Sequence, residues 1–446
     1  MKNSVLNRLF SYFEDYFFTA AKPTARNLFL LVLSILTLDT FRSVRFAHSH
    51  VISKMTDTSL NSFYYSLKTD AVDHLAWNDV TTQKALSVIP QQLDSQPLFL
   101  SIDDTLIEKS GKKFEHSSKL FDHAAHNGSC FLNGHCLVSI LLSFPVIQDD
   151  KMQYRSVSIG YRMWDKSKTK LALAAEMIEQ AMKVIGTKRQ VILLCDSWYP
   201  KAEITELVER YDNLDMICNV RIDTVLYKLP PAPTGKRGRP RKRGDRLSLE
   251  QFELSEPKHG HYKIGTCQVL TNLWKDRKVY AIVTFPKKGK GHHRLFLSTI
   301  APEEISLTLE WCSREKFCPY AEENIKYLPL DLYALRWNIE VSYYEGKTFW
   351  SMKNYRVRSS QAVERLVNLL CISYSAMTLL PYSDDAFSNY KSASAQETRY
   401  GISQQIQSFL ILCSFGNFLE TVKNSKVLIK VLEKYILSGF KKVQKL

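Results

Sequence analysis

The amino-terminal part of the chain has the pattern of amphipathic helices. Pro23 marks a helix start, and apolar residues recur after it at helical spacing up to Leu38. Ser34 and Thr37 interrupt this apolar stretch, and no stretch of the chain reaches the roughly 18 uninterrupted apolar residues that a membrane span needs. We therefore predict a separate helical domain over residues 1–92 and no membrane partner.

Apolar runs that predict strands begin after Pro97. Residues 98–102 are mostly apolar and end at Asp103 and Asp104, as a buried central strand does when it meets a functional site. Two longer strand-like runs, 135–147 and 154–164, follow and are separated by a turn. Together the three runs predict a three-stranded meander.

A helix and two further strands continue this pattern. Lys170–Ile185 carries apolar residues on one helical face, and Val191–Cys195 is continuously apolar and ends on Asp196. A helical stretch then leads to a last strand at Leu214–Val220. This order of elements, with acids at the ends of the first and fourth strands, is the ribonuclease H layout, in which those two strands are neighbours.

The pattern changes after residue 227. Residues 228–300 are rich in Pro, Gly and basic residues and then strand-like, whereas helical periodicity resumes near Leu328 and runs to Leu379. We predict an α/β protein with a ribonuclease H-like core, a β-rich basic insertion and a helical tail. Their bounds are 93–227 with 301–382 for the core, 228–300 for the insertion and 383–446 for the tail.

Composition adds a partner and a location. The 446 residues include 60 Lys and Arg against 45 Asp and Glu, a formal net charge of +15. Such an excess points to a polyanion, with nucleic acid ahead of an anionic membrane, because basic side chains release counterions from phosphate backbones. The nine cysteines form no Cys-x-x-Cys pair, and the amino terminus lacks the layout of a signal peptide. We therefore expect reduced thiols and a cytoplasmic location.

The candidate chemistry begins with the acids at the strand ends. Three carboxylates suffice to hold two divalent ions for phosphoryl transfer between DNA strands. Taken singly, Asp103 and Asp104 fit a turn after a strand equally well, and Asp196 fits the cap of the following helix. A third element is needed to decide between these interpretations.

That element is a helical constellation in the carboxy-terminal half. Tyr333, Arg336, Glu340 and Lys347 follow one another at steps of three, four and seven residues, which puts all four on or near one helical face. The plain alternative is an amphipathic helix in which Arg336 and Glu340 form an i,i+4 ion pair on a solvated surface.

The spacing of this constellation is identical to the signature of bacterial insertion-sequence transposases of the insertion sequence family 4 group. The resemblance extends over about 280 residues and rests on separated segments in the same order. These segments are Phe-Leu-Ser-Ile-Asp-Asp-Thr at 99–105, Leu-Leu-Cys-Asp-Ser-Trp at 193–198, Asn-Val-Arg-Ile-Asp at 219–223 leading to Gly-Arg-Pro-Arg-Lys at 238–242, Leu-Arg-Trp-Asn-Ile-Glu at 335–340, and Gln-Ala-Val-Glu-Arg-Leu at 361–366.

The resemblance implies a DDE transposase in which Glu340, Asp196 and one acid of the doublet hold two Mg²⁺ ions, with Mn²⁺ as a substitute. The doublet leaves that first ligand open between Asp103 and Asp104. Tyr333, Arg336 and Lys347 would hold the phosphates and the strand end near the metals, since the Arg fork and the compact Lys charge suit phosphate oxygens.

A second group of basic residues lies in the insertion. Residues 236–243 carry six cations in eight positions and include the Arg-Gly-Arg-Pro core of an AT-hook, which inserts extended arginines into a narrow minor groove. A solvated linker is the alternative. We expect DNA contacts from Arg237, Arg239, Arg241, Lys242 and Arg243.

The predicted function is cut-and-paste transposition. The protein would bind the terminal inverted repeats of a transposon, cleave the ends by two-metal hydrolysis and join the 3′ ends to target DNA. Its partners would be double-stranded DNA and a second copy in a homodimeric synaptic complex, to which the helical domain 1–92 would contribute DNA binding or dimer contacts, in the nucleoid. The rivals are a nuclease of the same fold without strand transfer and a catalytically silent protein that binds terminal repeats.

Overall fold

A mixed twelve-stranded sheet forms the centre of the protein in the computed structural model. The structure describes residues 5–421, apart from positions 112, 259 and 275–276 and the segments 123–129, 233–240, 288–291 and 309–318. Within these residues the protein is mixed α/β, with helices before, between and after the strands. The expected α/β class is therefore confirmed.

The amino-terminal region is helical, as its apolar spacing predicted. Its five α-helices are α1 (Val5–Phe17), α2 (Lys22–Thr37), α3 (Val44–His50), α4 (Leu60–Ser66) and α5 (Ala76–Ser87). Pro23 lies in the first turn of α2, where a missing N–H costs nothing, and the apolar run of α2 is buried. The boundary at residue 92 stays a prediction.

The predicted meander is present and longer than expected. Its strands are β1 (Leu98–Glu108), β3 (Phe131–Gln148) and β4 (Lys151–Met163), and a short strand β2 (Ser118–Phe121) pairs with the start of β3. Asp149 and Asp150 make the tight turn from β3 to β4 with positive φ angles, which Asp tolerates better than most residues.

The prediction that the first strand ends at Asp103 is wrong. β1 continues to Glu108 because β3 pairs with it over the whole distance, as far as Glu108 opposite Gly134. Glycine is required there, since a Cβ at position 134 would overlap the carbonyl oxygen of Ile107. The two acids consequently lie inside a paired strand and not in a turn after it.

The next elements have the predicted bounds or differ by a residue. They are α6 (Lys170–Ile185), β5 (Val191–Cys195), α7 (Ala202–Arg210) and β6 (Leu214–Val220). β5 pairs in parallel with β1 on one side and with β6 on the other, and all five of its residues are buried. This is the environment that a continuously apolar strand requires.

The β-rich segment after residue 227 extends the same sheet. Its strands are β7 (Leu226–Tyr227), β8 (Arg246–Leu247), β9 (Leu254–Ser255), β10 (Tyr262–Thr271), β11 (Val279–Pro286) and β12 (Arg294–Ser298). β12 pairs with β6, so the strand order is β2-β3-β1-β5-β6-β12-β11-β10-β7-β8, with β4 on β3 and β9 on β10. The basic residues of this segment therefore flank the outer edge of the sheet.

Helices of the carboxy-terminal half lean on the sheet and on the amino-terminal helices. They are α8 (Leu328–Tyr333), α9 (Trp337–Thr348), α10 (Ser360–Ser383) and α11 (Ala395–Thr421). In the described part of the chain α10 is long and apolar enough to cross a membrane, but 78% of its apolar window is buried in the protein, as in a core helix. Its Arg365 donates from the core to the carbonyl oxygens of Leu67 and Val72, which joins α10 to the region around α4.

Candidate active site

Asp103 and Asp196 lie side by side at the centre of the sheet. The parallel pairing of β1 with β5 is recorded up to Ser101 opposite Leu194, and each acid lies two positions beyond that pair. The predicted neighbourhood of the two strands is thus confirmed. Asp196 does not cap the following helix, whose N-cap is Lys201; its side chain instead accepts a hydrogen bond of 2.9 Å from the backbone N–H of Trp198.

The surroundings of Asp103 disfavour its charge. Burial, followed by the negative charge of Asp196, raises the pKa of the Asp103 carboxyl to about 7. The backbone N–H of Asp104 and the guanidinium of Arg336 act in the opposite direction. Two carboxylates that repel each other in a half-buried position form the kind of donor set that a cation would neutralise.

The helical constellation lies over this pair of acids. Tyr333 is the last residue of α8, Arg336 closes a single 3₁₀ turn, and Glu340 lies in the first turn of α9, so a nearly continuous helix carries all three. Arg336 pairs with Glu340 and approaches the Asp103 carboxylate at 3.5 Å. The i,i+4 ion pair therefore exists, but the Arg336 side chain is only 13% exposed and also contacts β1.

Tyr333 and Lys347 mark the two ends of the constellation. The ring of Tyr333 packs against Phe296 of β12 at 4.9 Å, and the Arg336 guanidinium lies 5.8 Å from the centre of the same ring. Lys347 is two turns beyond Glu340, about 10 Å along the helix axis. Burial, and then the nearby charge of Lys353, lowers its pKa, while Asp122 acts in the opposite direction.

Asp104 faces the other side of the sheet, because successive side chains of a strand point to opposite faces. Its carboxylate accepts hydrogen bonds from Lys170 at 2.8 Å, Cys136 at 3.2 Å and Tyr199 at 3.3 Å. Burial alone would lower the pKa of Lys170, but the charge of Asp104 keeps it above its ordinary value. Asp104 is thus already paired with a cation, unlike Asp196.

Several residues of this environment carried no signal in the sequence. Lys170 is 66 positions from Asp104 and was recognisable only as the first residue of a predicted helix. Tyr343, one turn after Glu340, donates or accepts a 2.7 Å hydrogen bond with Ser139, the β3 residue opposite Asp103. Trp198 is 39% exposed and has Lys170 and Lys201 over its ring at 5.2 and 4.4 Å.

The predicted basic DNA contacts lie only partly within the described residues. Arg237 and Arg239 are outside them. Arg241 pairs with Asp245 on the surface, and Arg243 holds Asn272 and the carbonyl oxygen of Thr271 next to the β7–β8 pair. Lys242 is an exposed or half-buried neighbour in the same turn. The structure does not bring this basic group to the acids, since six strand positions separate β7 from β1, roughly 29 Å at 4.8 Å per strand.

The donor chemistry of the acids fits a hard divalent cation, which prefers carboxylate oxygens. In the part of the chain that the structure describes, no group of three or more His, Cys, Asp or Glu side chains is arranged to hold a metal ion. The reason is visible in the geometry: the Arg336 guanidinium lies between Asp103 and Glu340 and is bound to both. Asp103 and Asp196 fit such an ion as they stand, whereas Glu340 is engaged by Arg336.

Comparison with known families identifies the class of protein that this fold and this site define. Residues 18–277 match the family described as DDE superfamily endonuclease, which is more than half of the chain. The chain therefore belongs to the DDE superfamily endonuclease family. The matched residues include Asp103, Asp104 and Asp196 and end before Glu340. No curated protein matches the chain.

The family supports an endonuclease with DNA as its substrate, and DDE nucleases generally use divalent metals. It also begins within the amino-terminal helices and continues into the β-rich segment. Both regions are consequently part of the family's own sequence pattern.

Proposed function

We propose that the protein is a DNA transposase that cleaves the terminal inverted repeats of an insertion sequence and joins the freed 3′ ends to target DNA. The observation that carries the proposal is the arrangement of Asp103 and Asp196 on neighbouring parallel strands beneath the helix of Arg336 and Glu340. The antiparallel β1-β3-β4 unit continued by parallel β5 and β6 supports a ribonuclease H-like core. The spacing of Tyr333, Arg336, Glu340 and Lys347 supports the insertion sequence family 4 group.

In this proposal Asp103, and not Asp104, is the first acid of the site. Asp103 shares its surroundings with Asp196, Arg336 and Glu340, whereas Asp104 is neutralised by Lys170 on the opposite face. A cation held at Asp104 would have to displace an ammonium group already at 2.8 Å. Asp104 therefore positions β1 against α6.

Asp103, Asp196 and Glu340 would hold divalent ions, Mg²⁺ or in its place Mn²⁺. Such ions supply charge neutralisation and an activated water to phosphoryl transfer. Arg336, with its planar fork, would exchange the carboxylates for phosphate oxygens when DNA enters, because both partners offer the same bidentate geometry. Tyr333 and Lys347 would contact the strand on either side of it.

Other parts of the chain would bind the remaining DNA. The exposed Trp198 next to Asp196 has the position for stacking on a base near the cleaved bond, whereas Trp274, equally a candidate from the sequence, is fully buried and belongs to the core. Trp311 lies outside the described residues. The basic residues at 237–243 and the helical domain would hold DNA further out, in a homodimer that acts on both ends in the nucleoid.

Cleavage of a labelled DNA end, taken from the flank of the gene, tests the proposal. In Mg²⁺ or Mn²⁺ the wild type should nick the end, and Asp103→Asn and Glu340→Gln should bind it without cutting. Asp150→Asn, in the exposed β3–β4 turn, is the matched control and should cut normally. If the control fails as well, loss of a charge explains nothing about the site.

A second assay separates a transposase from a nuclease. A pre-cleaved end with a free 3′ hydroxyl is incubated with a supercoiled plasmid, and joined products are counted. Joining by the wild type and not by Glu340→Gln supports transposition. Cleavage without joining would make the protein a nuclease of the same fold, and binding with neither reaction would make it a silent binder of terminal repeats.

A further inference from the structure

A basic cavity of about 510 Å³ opens at the far end of β1 from its first residue. Three distant stretches of chain line it: residues 40–42 after α2, the end of β1 with the residues that follow it, and the loop 353–356 between α9 and α10. Four of the ten lining residues are cationic and one is acidic. These are Arg42, Lys109, Lys353 and Arg356, with Glu108 as the acid.

Lys109 forms the floor of the cavity and is only 7% exposed. Its ammonium group donates to the carbonyl oxygens of Lys353 at 2.7 Å and Tyr355 at 3.1 Å, and lies 3.4 Å from the centre of the Tyr355 ring. These contacts hold the loop 353–356 in place. They satisfy the donors of Lys109 but bring it no carboxylate, and a buried charge without an opposite charge is unfavourable.

The cations at the rim repel one another. Arg42, Lys353 and Arg356 are exposed, and within the described residues none of them forms an ion pair with a carboxylate. Burial lowers the pKa of Lys109 to about 8, and the charge of Arg356 lowers it as well. Lys353 has the same effect on the pKa of Lys347, so the cluster continues to the signature helix. An anion in the cavity would relieve this repulsion.

The framework of the cavity is rigid and tied to the active site. The backbone N–H of Phe41 donates to Ser351 at 2.9 Å, and Arg399 of α11 donates to the carbonyl oxygens of Phe349 and Asp39. β1 itself carries Asp103 five residues before Glu108, a distance of roughly 17 Å along the strand. Phosphates of one DNA strand are spaced by about 3.4 Å along the helix axis, so this distance corresponds to about five nucleotides.

We propose that the cavity between residues 40–42, the end of β1 and the loop 353–356 binds a backbone phosphate of the DNA substrate, about five nucleotides from the bond that is cleaved. This inference rests on the proposed function, because it takes DNA as the polyanion. Arg42, Lys353 and Arg356 bind the phosphate, and Lys109 is a positioning residue that holds the loop.

The test compares Lys353→Ala/Arg356→Ala with a control that removes the same charge elsewhere. The control is Lys183→Ala/Lys188→Ala, two exposed lysines where α6 ends, next to the first residues of β5 and so at the opposite end of the parallel strands. Binding of a fluorescein-labelled DNA end is measured by fluorescence polarisation between 50 and 200 mM salt, without divalent metal. Melting temperatures are measured in parallel.

We expect the cavity variant to bind about tenfold more weakly and to reduce the slope of log K against log salt by about one, the change for one lost phosphate contact. Its melting temperature should be unchanged or higher, since a repulsive cation has been removed. The control variant should keep the slope of the wild type. Equal slopes and affinities for wild type and cavity variant would overturn the inference.

The position of the contact is tested with DNA ends that carry one neutral methylphosphonate at successive positions. The wild type should lose affinity at one position about five nucleotides from the cleaved bond, and the cavity variant should not respond there. A loss that persists in the variant would contradict the inference and leave the proposed function intact. If the wild type binds no DNA end at all, both the proposed function and this inference fail.

Discussion

The guanidinium of Arg336 lies 3.5 Å from the carboxylate of Asp103 and is paired at the same time with Glu340, one helical turn further along the chain. One cation thus joins the central strand β1 to the helix that covers it. Because Asp103 also faces Asp196, Arg336 is the positive charge that permits three carboxylates to share this part of the protein.

Replacing Arg336 by Lys should therefore impair the site although the charge is conserved. A lysine has no planar fork and cannot hold two carboxylates or a phosphate in the same bidentate way. We expect a 10- to 100-fold loss in DNA cleavage and a decrease of about 1 kcal/mol in the free energy of unfolding at pH 8. Rates of nicking and urea unfolding curves measure the two effects.

The control is Arg241→Lys, which alters another i,i+4 pair with an acid. Both partners of that pair are exposed, 64% for Arg241 and 79% for Asp245, so its contribution to stability is small. A similar loss of stability in both variants would mean that Arg336 forms no more than a surface ion pair.

Asp103→Asn should stabilise the metal-free protein at high pH. The folded-state pKa of about 7 lies above the ordinary value of an aspartate, so between about pH 4 and 7 the folded protein holds a proton that the unfolded chain has released. Stability from this group is complete below the ordinary pKa and is lost as the pH rises through 7. Asparagine has no such loss, and we expect an advantage on the order of 2 kcal/mol at pH 8 that shrinks towards pH 4.

Melting temperatures of both proteins at pH 4, 6 and 8 in the presence of a chelator check this expectation. Asp331, whose pKa burial also raises to about 7, is present in both proteins and cancels in the difference. A difference that does not vary with pH would show that the ionised form of Asp103 is not disfavoured in the fold.

The ion pair of Lys170 with Asp104 should contribute stability and no metal binding. Lys170→Met leaves a carboxylate that is 19% exposed without its cation, and we expect a loss of about 1–3 kcal/mol. Adding Asp104→Asn to this variant should recover most of the loss, since the unpaired charge is then removed. Urea unfolding of the two single variants and the double variant provides the measurement.

Thermal stabilisation by Mg²⁺ then distinguishes the two acids of the doublet. A ligand that binds only the folded state raises the melting temperature, and we expect this rise in the wild type and in Asp104→Asn but not in Asp103→Asn. The reverse pattern would transfer the metal to Asp104 and contradict the assignment made from the two faces of β1.

The helices and strands of local origin could be predicted from the sequence. α6, β5 and β6 have the bounds that their apolar patterns indicated, because burial on one helical face or on both faces of a strand leaves a direct periodic trace. The extension of β1 past Asp103 left no such trace. It depends on the pairing of Glu108 with Gly134, and pairing partners are set by the fold.

The sequence by itself also determined that Asp103, Asp104, Asp196 and Glu340 were the acids to examine, since strand ends and helical spacing are local features. It could not choose between Asp103 and Asp104, which differ only in the face of the sheet that each occupies and in the partner met there. Lys170 from 66 residues away and Arg336 from more than 200 residues away made that difference, and only the tertiary structure brought them to β1. The cavity at Lys109 has the same origin, because its walls come from stretches as much as 246 residues apart that meet only when the chain is folded.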